Sequence, residues 1–209
     1  EITTRLVGSE MCIRDSSMAI YYFTYVVGKE SLFSVYQAFA GIAEISGLVL
    51  LPILTKKIGR EDVFKFGSIL PIAGFLLLFV AGIVAPQNAL FIGMAGAILK
   101  LGSGFLLGST TIMLADVVDY GEFKLGTRNE SIVFSVQTLL VKGASAVAGW
   151  LVGVGLSLVG YVAGEVQSAT TILGMRVIMI WIPIVCAIVM YTIYLSLIHI
   201  SEPTRRVVI

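Results

Sequence analysis

The sequence predicts an all-α transmembrane protein built as a six-helix bundle, and three observations carry that expectation. Mean hydropathy is +0.98. Hydrophobic residues make up 57% of the chain and charged residues only 13%, whereas about a quarter of a soluble domain is charged. The apolar residues also fall into six runs, most of them near the roughly 20 residues a helix needs to cross about 30 Å of hydrocarbon.

Taken in order, the runs are a partial helix at Met18–Val27, then Leu32–Leu54, Val63–Val84, Leu90–Leu114, Ile132–Val159 and Met175–Leu195. The first is short, and Glu10, Arg14 and Asp15 upstream cannot extend it through lipid, so the chain is expected to be cut inside a transmembrane helix. Pro71 and Pro183 fall inside runs and predict kinks, because proline lacks the helical N–H and clashes with the preceding turn. The strings LVGSEMCIRDS and LSLIHISEPTRR resemble translated adaptor sequence more than either neighbouring helix. Residues 1–16 and 196–209 are therefore set apart as artefactual tails, with genuine tails as the alternative, and residues 17–195 form one membrane domain.

Orientation follows from the links. Lys56, Lys57 and Arg60 occupy one, Lys124 and Arg128 another, while 85–88 and 160–170 contain no Lys or Arg. Positive charge collects on the cytoplasmic side, which puts the first two links inside and the other two outside. Lys29 is a single external exception. A net charge of +1 gives no reason to expect nucleic acid. Two cysteines and one histidine supply no disulfide framework, no CxxC and no metal-ligand spacing, so neither a cofactor nor a metal site is expected in this chain.

Small residues mark the helix contacts. Gly93, Gly96, Gly102, Gly104 and Gly108 line one run, and Gly143, Ala144, Ala146, Ala148, Gly149, Gly153 and Gly155 another. They let backbones approach closely, either for static packing or for sliding.

The densest signal is Ala115–Gly143, ADVVDYGEFKLGTRNESIVFSVQTLLVKG. Lys142 lies near the middle of an apolar run, where an ammonium group in hydrocarbon costs at least a few kcal/mol, so it should face a protein interior or a water-filled path. Thr138 shares its face and Gln137 is expected beside it. That stripe suits a hydroxyl-rich ligand or a buried carboxylate, and a lysine snorkelling to an interface is the bland alternative. Glu44 and Lys100 lie at similar depth, about twelve residues from the external ends of their helices, and are expected to neutralise one another as a structural pair or a relay. The cluster Asp116, Asp119, Glu122, Lys124 and Arg128 suggests a cytoplasmic gate of ion pairs, freed to turn by Gly121 and Gly126, and otherwise a solvated loop.

ADVVDYGE, ESIVFSVQT, AIYYFTYVVG, GSILP and ILGMRVIMI together resemble the glycoside–pentoside–hexuronide:cation symporters of the major facilitator superfamily, and above all the members that carry melibiose. The likeness runs through almost all of 18–195. It implies the C-terminal six-helix half of a carrier in the bacterial inner membrane, taking up a glycoside such as melibiose with Na⁺, Li⁺ or H⁺. The sugar lies between this half and an N-terminal half that holds most of the cation ligands. The resemblance places Lys142, Gln137, Thr138, Val141 and Leu107 at the sugar and cation cavity, and Asp116, Asp119 and Arg128 at gating contacts with the other half. Leu107 stands where the melibiose carriers have a tryptophan, and Glu44 and Lys100 where they have asparagines, which supports the last two touching.

Two rival classes were weighed. A membrane-embedded enzyme would need a His or Cys constellation, HExxH, or a serine paired with histidine, and none is present. A noncatalytic scaffold or assembly subunit would not require Lys142 with Gln137 and Thr138.

Overall fold

A computed structural model describes residues 18–165 and 167–205, with the backbone alone described for residue 125 and residues 197–205. Six helical runs follow one another: α1 (Met18–Val27), α2 (Ser31–Ile58), α3 (Arg60–Val84), α4 (Ala89–Leu125), α5 (Glu130–Leu158) and α6 (169–205). No strand occurs among the described residues. Five of the six are long and apolar enough to cross a membrane, and α1 is the short one. Residues 1–16 lie outside the described residues. The backbone of α6 continues as helix to Arg205, into the segment that the sequence reading set apart.

One local expectation changes. The charged stretch beyond Leu114 does not turn at Gly121, because α4 runs on to Leu125 and keeps Asp116, Asp119, Gly121, Glu122 and Lys124 helical. Acids at spacings of three suit a solvated helix face. The stop comes at Gly126, whose left-handed φ of +69° lets its N–H cap the Glu122 carbonyl. Pro183 follows a π turn at Val177–Trp181 within α6. Its ring opposes the carbonyl four residues back, that of Met179, and the wider turn just ahead relieves that conflict. Pro52, which the sequence reading passed over, lies inside α2.

α4 is the axis of the bundle, with α2 on one side and α3 on the other. Towards α2, a Cβ on Gly96 would stand 2.6 Å from the Tyr36 ring, one on Gly104 would stand 2.5 Å from the Glu44 carbonyl, and one on Gly108 would stand 2.5 Å from Leu51. Towards α3, Gly102 accommodates the ring of Pro71, whose Cδ would be 2.5 Å from any Cβ there. These glycines are filled contacts, so static packing describes them. The main core lies in the external half, where Tyr22, Phe23, Tyr36, Phe75, Leu78, Ile92, Met175 and Met179 pack together. A smaller cytoplasmic cluster stacks Phe64 against Tyr194, ring centroids 4.0 Å apart, beside Leu106 and Met190.

α5 is held differently. It buries only Ala144, Ala148, Val152 and Leu156, one line of residues four apart in its external half. Gly155 meets Ile178 of α6, and Tyr161 just beyond the helix packs edge-on against Tyr21 and Tyr25 of α1. Among the described residues nothing in α5 before Ala144 is buried.

Candidate functional site

At the cytoplasmic end the acidic residues of α4 are all in ion pairs within this chain. Arg60, the first residue of α3, reaches Asp116 at 2.5 Å. Arg128, in the link to α5, lies 3.9 Å from Asp119 and 3.1 Å from Glu122 on α4, and 3.2 Å from Glu130 on α5. The hydrogen bond to Glu130, then the charge of Glu122, raises the Arg128 pKa above its ordinary value, so the guanidinium stays charged at any physiological pH. All these side chains are about half exposed or more, so water screens each pair and each adds little to stability. The sequence reading named Asp116, Asp119, Glu122 and Arg128 but gave Arg60 only a topological role. No local signal joins it to Asp116, since 56 positions separate them.

Within the membrane, Lys100 on α4 and Glu44 on α2 come together, Nζ to Oε2 at 3.9 Å. Lys100 is buried and Glu44 half-buried, so the cation is the more committed partner.

The residues of the expected cavity do not form one stripe. Lys142 and Thr138 are exposed on a shared face, about 40° apart around the helix. Gln137 lies five positions from Lys142, about 140° around, and with Val141 it is half-buried on the flank towards Ala144. The expectation that Gln137 lies beside Lys142 is corrected by that rotation. Thr138 spends its hydroxyl on the Phe134 carbonyl at 2.9 Å. Leu107 on α4 is half exposed. No side-chain hydrogen bond or ion pair joins Lys142 to another described residue. Among the described residues no group of three or more His, Cys, Asp or Glu is placed to hold a metal ion.

On the external side the sequence reading missed a contact. Tyr161 donates to the Tyr25 hydroxyl at 3.0 Å, and this bond is the main cause of a Tyr161 pKa pushed up from 10.0 to about 12. It fastens the α5–α6 link to α1.

Comparison with known proteins gives the geometry its context. A family profile described as MFS/sugar transport protein matches residues 5–202. The chain is 34% identical over 170 residues to the isoprimeverose transporter of Lactiplantibacillus pentosus, covering 81% of this chain and 35% of that protein. It is 30% identical over 161 residues to the raffinose carrier protein of Pediococcus pentosaceus, 76% of this chain and 24% of that protein. With the glucuronide carrier protein homolog of Escherichia coli it shares 29% identity over 169 residues, 80% of this chain and 36% of that protein. The chain thus spans about a third or less of the length of these bacterial relatives. Five membrane-length helices and a family profile covering nearly the whole chain lead to one conclusion: it belongs to the MFS/sugar transport family, the glycoside–pentoside–hexuronide symporters of the major facilitator superfamily, and is an integral, multi-pass membrane protein.

Proposed function

We propose that this chain is the C-terminal half of a secondary carrier that couples glycoside uptake to Na⁺, Li⁺ or H⁺ by alternating access. The observation that carries the reading is Lys142. It lies twelve positions after Glu130, about 18 Å into α5, too far from either end to snorkel, yet it stays exposed among the described residues. A cation so placed calls for a water-filled path or a carboxylate from elsewhere, and an N-terminal half closing over α5 would supply both. Thr138 and Leu107 then line the same opening, with Gln137 and Val141 at its edge, and the Arg60 and Arg128 clusters form its cytoplasmic rim.

The substrate proposed is a glycoside of the size of melibiose. Relatives named for isoprimeverose, raffinose and glucuronides support a sugar, and Leu107 offers a ring no aromatic face to stack on. Labelled melibiose, isoprimeverose, raffinose and a glucuronide should be offered to vesicles holding the complete carrier, under imposed gradients of Na⁺, Li⁺ and H⁺ in turn. Accumulation of one sugar that follows one of these gradients is expected. Sugar movement indifferent to all three cations would refute the coupling.

A further inference from the structure

Among the described residues, the membrane-embedded charges do not balance. Glu44 is the sole carboxylate deep within a described helix and is matched by Lys100. Lys142 and Arg176 remain. Arg176, on α6, is half-buried, its Nε is wholly buried without a hydrogen-bond partner, and no ion pair joins it to a described acid.

The surroundings of Arg176 are specific. It immediately precedes the π turn Val177–Trp181 of α6, and the helical turns that end at Arg176 pack against a second π turn, Tyr22–Val27, in α1. The Tyr22 side chain is itself buried, with its hydroxyl tucked against Gly82 of α3 so closely that any Cβ there would collide with it. Helices α1, α3 and α6 therefore meet near the level of Arg176. Such turns gather at functional sites.

Depth decides what the cation can reach. The apolar part of α6, Ala169–Ser196, has 28 residues, about 42 Å of helix against roughly 30 Å of hydrocarbon. About 6 Å projects on each side. The Arg176 Cα lies seven positions from Ala169, about 10 Å, and so only about 4 Å inside the hydrocarbon. Side chains lean towards a helix N-terminus, here the external end, and an arginine stem spans that gap. Lys142 lies too deep to do the same. Beside Arg176 on α6, Leu173 and Val177 are exposed and apolar, as a lipid-facing wall requires.

We propose that Arg176 binds the phosphate of an outer-leaflet phospholipid at the external end of α6, where it packs against α1 and α3. A planar guanidinium offers two parallel N–H donors to phosphate oxygens and sheds water more readily than an ammonium does. The acyl chains lie along Leu173 and Val177, and the headgroup supplies the charge that the neighbouring helices lack. This anchors α6 and, through Tyr22, α1 at the outer surface.

Thermal unfolding of the purified protein in neutral detergent tests the site with dioleoyl phosphatidylglycerol, dioleoylglycerol, inorganic phosphate and glucuronate as separate additives. Phosphatidylglycerol should raise Tm, and the other three should leave it unchanged. Native mass spectrometry should show about tenfold less retained phosphatidylglycerol for Arg176→Gln, the loss of one charge-assisted contact, with partial retention for Arg176→Lys. Equal stabilisation by dioleoylglycerol would mean that only the tails bind. Equal stabilisation by inorganic phosphate or glucuronate would assign Arg176 to a soluble anion or an acidic sugar. Each of these results overturns the proposal without needing a variant, as does undiminished retention by Arg176→Gln. None depends on sugar transport.

Discussion

Lys100 and Glu44 meet across the α2–α4 interface, Nζ to Oε2 at 3.9 Å, at the level where Gly104 brings the α4 backbone against the Glu44 carbonyl. The ion pair and the close backbone contact share residue 44, so whatever parts these helices weakens both.

Glu44→Gln should destabilise the protein more than Lys100→Gln, because it removes the opposite charge facing the more deeply buried group. A broken buried pair costs about 3–5 kcal/mol, and the partial exposure of Glu44 puts the expected loss at the low end of that range. Replacing both by asparagine should recover much of it. A double-mutant cycle on thermal stability in detergent measures the coupling, and strictly additive losses would show that the pair contributes nothing.

Gly104→Ala should separate α2 from α4. Its methyl would stand 2.5 Å from a backbone oxygen that cannot rotate away, an overpacking expected to cost about 1–3 kcal/mol. Gly149→Ala is the control, because nothing lies within 4 Å of a Cβ there and helix propensity favours alanine by up to about 1 kcal/mol. If Gly104→Ala melts no lower than Gly149→Ala, the close approach is not a constraint.

In the complete carrier, Lys142→Ala should abolish cation-coupled accumulation while membrane insertion stays near the parental level. The side chain is uncovered in this half, so its loss opens no cavity in the packed core. Accumulation against a gradient equal to the parent's would make Lys142 a structural residue.

Alkaline pH should loosen the external fastening. The folded Tyr161 pKa is about 12 against 10.0 for the free phenol, so the folded state holds a proton that the unfolded state releases first. That contribution to stability is complete below about pH 10 and is lost as pH rises towards 12. Tyr161→Phe should flatten the fall in stability across this window, and ultraviolet titration of phenolate should lose its latest component. A variant with the parent's alkaline profile would show that the Tyr161 to Tyr25 bond does not form.

What the sequence disclosed was what lies close along it. Apolar runs marked all six helices because hydrocarbon tolerates little else, and the glycines of α4 announced close neighbours without naming Tyr36, Glu44 or Pro71 as those neighbours. Glu44 and Lys100 could be matched because depth and opposite sign are both legible in a chain that alternates across a membrane. Arg60 and Asp116 could not, since exposed charges near a helix end have many possible partners and only the fold selects one. Hydropathy ended α4 too early because it reads charge as exit from lipid, although a helix continues into water until Gly126 stops it. Gln137 was misplaced by treating nearness in sequence as nearness around the helix.

The unequal support of α5 has a mechanical consequence. A rod secured near one end is a lever. From Leu156, in the secured stretch, to Glu130 is 26 residues, about 39 Å, so a tilt of about 10° carries the cytoplasmic tip through roughly 7 Å and Lys142 through about half that distance. Little packing resists the swing at the cytoplasmic end beyond the three carboxylates held by Arg128, whose solvated pairs can be exchanged for others at small cost.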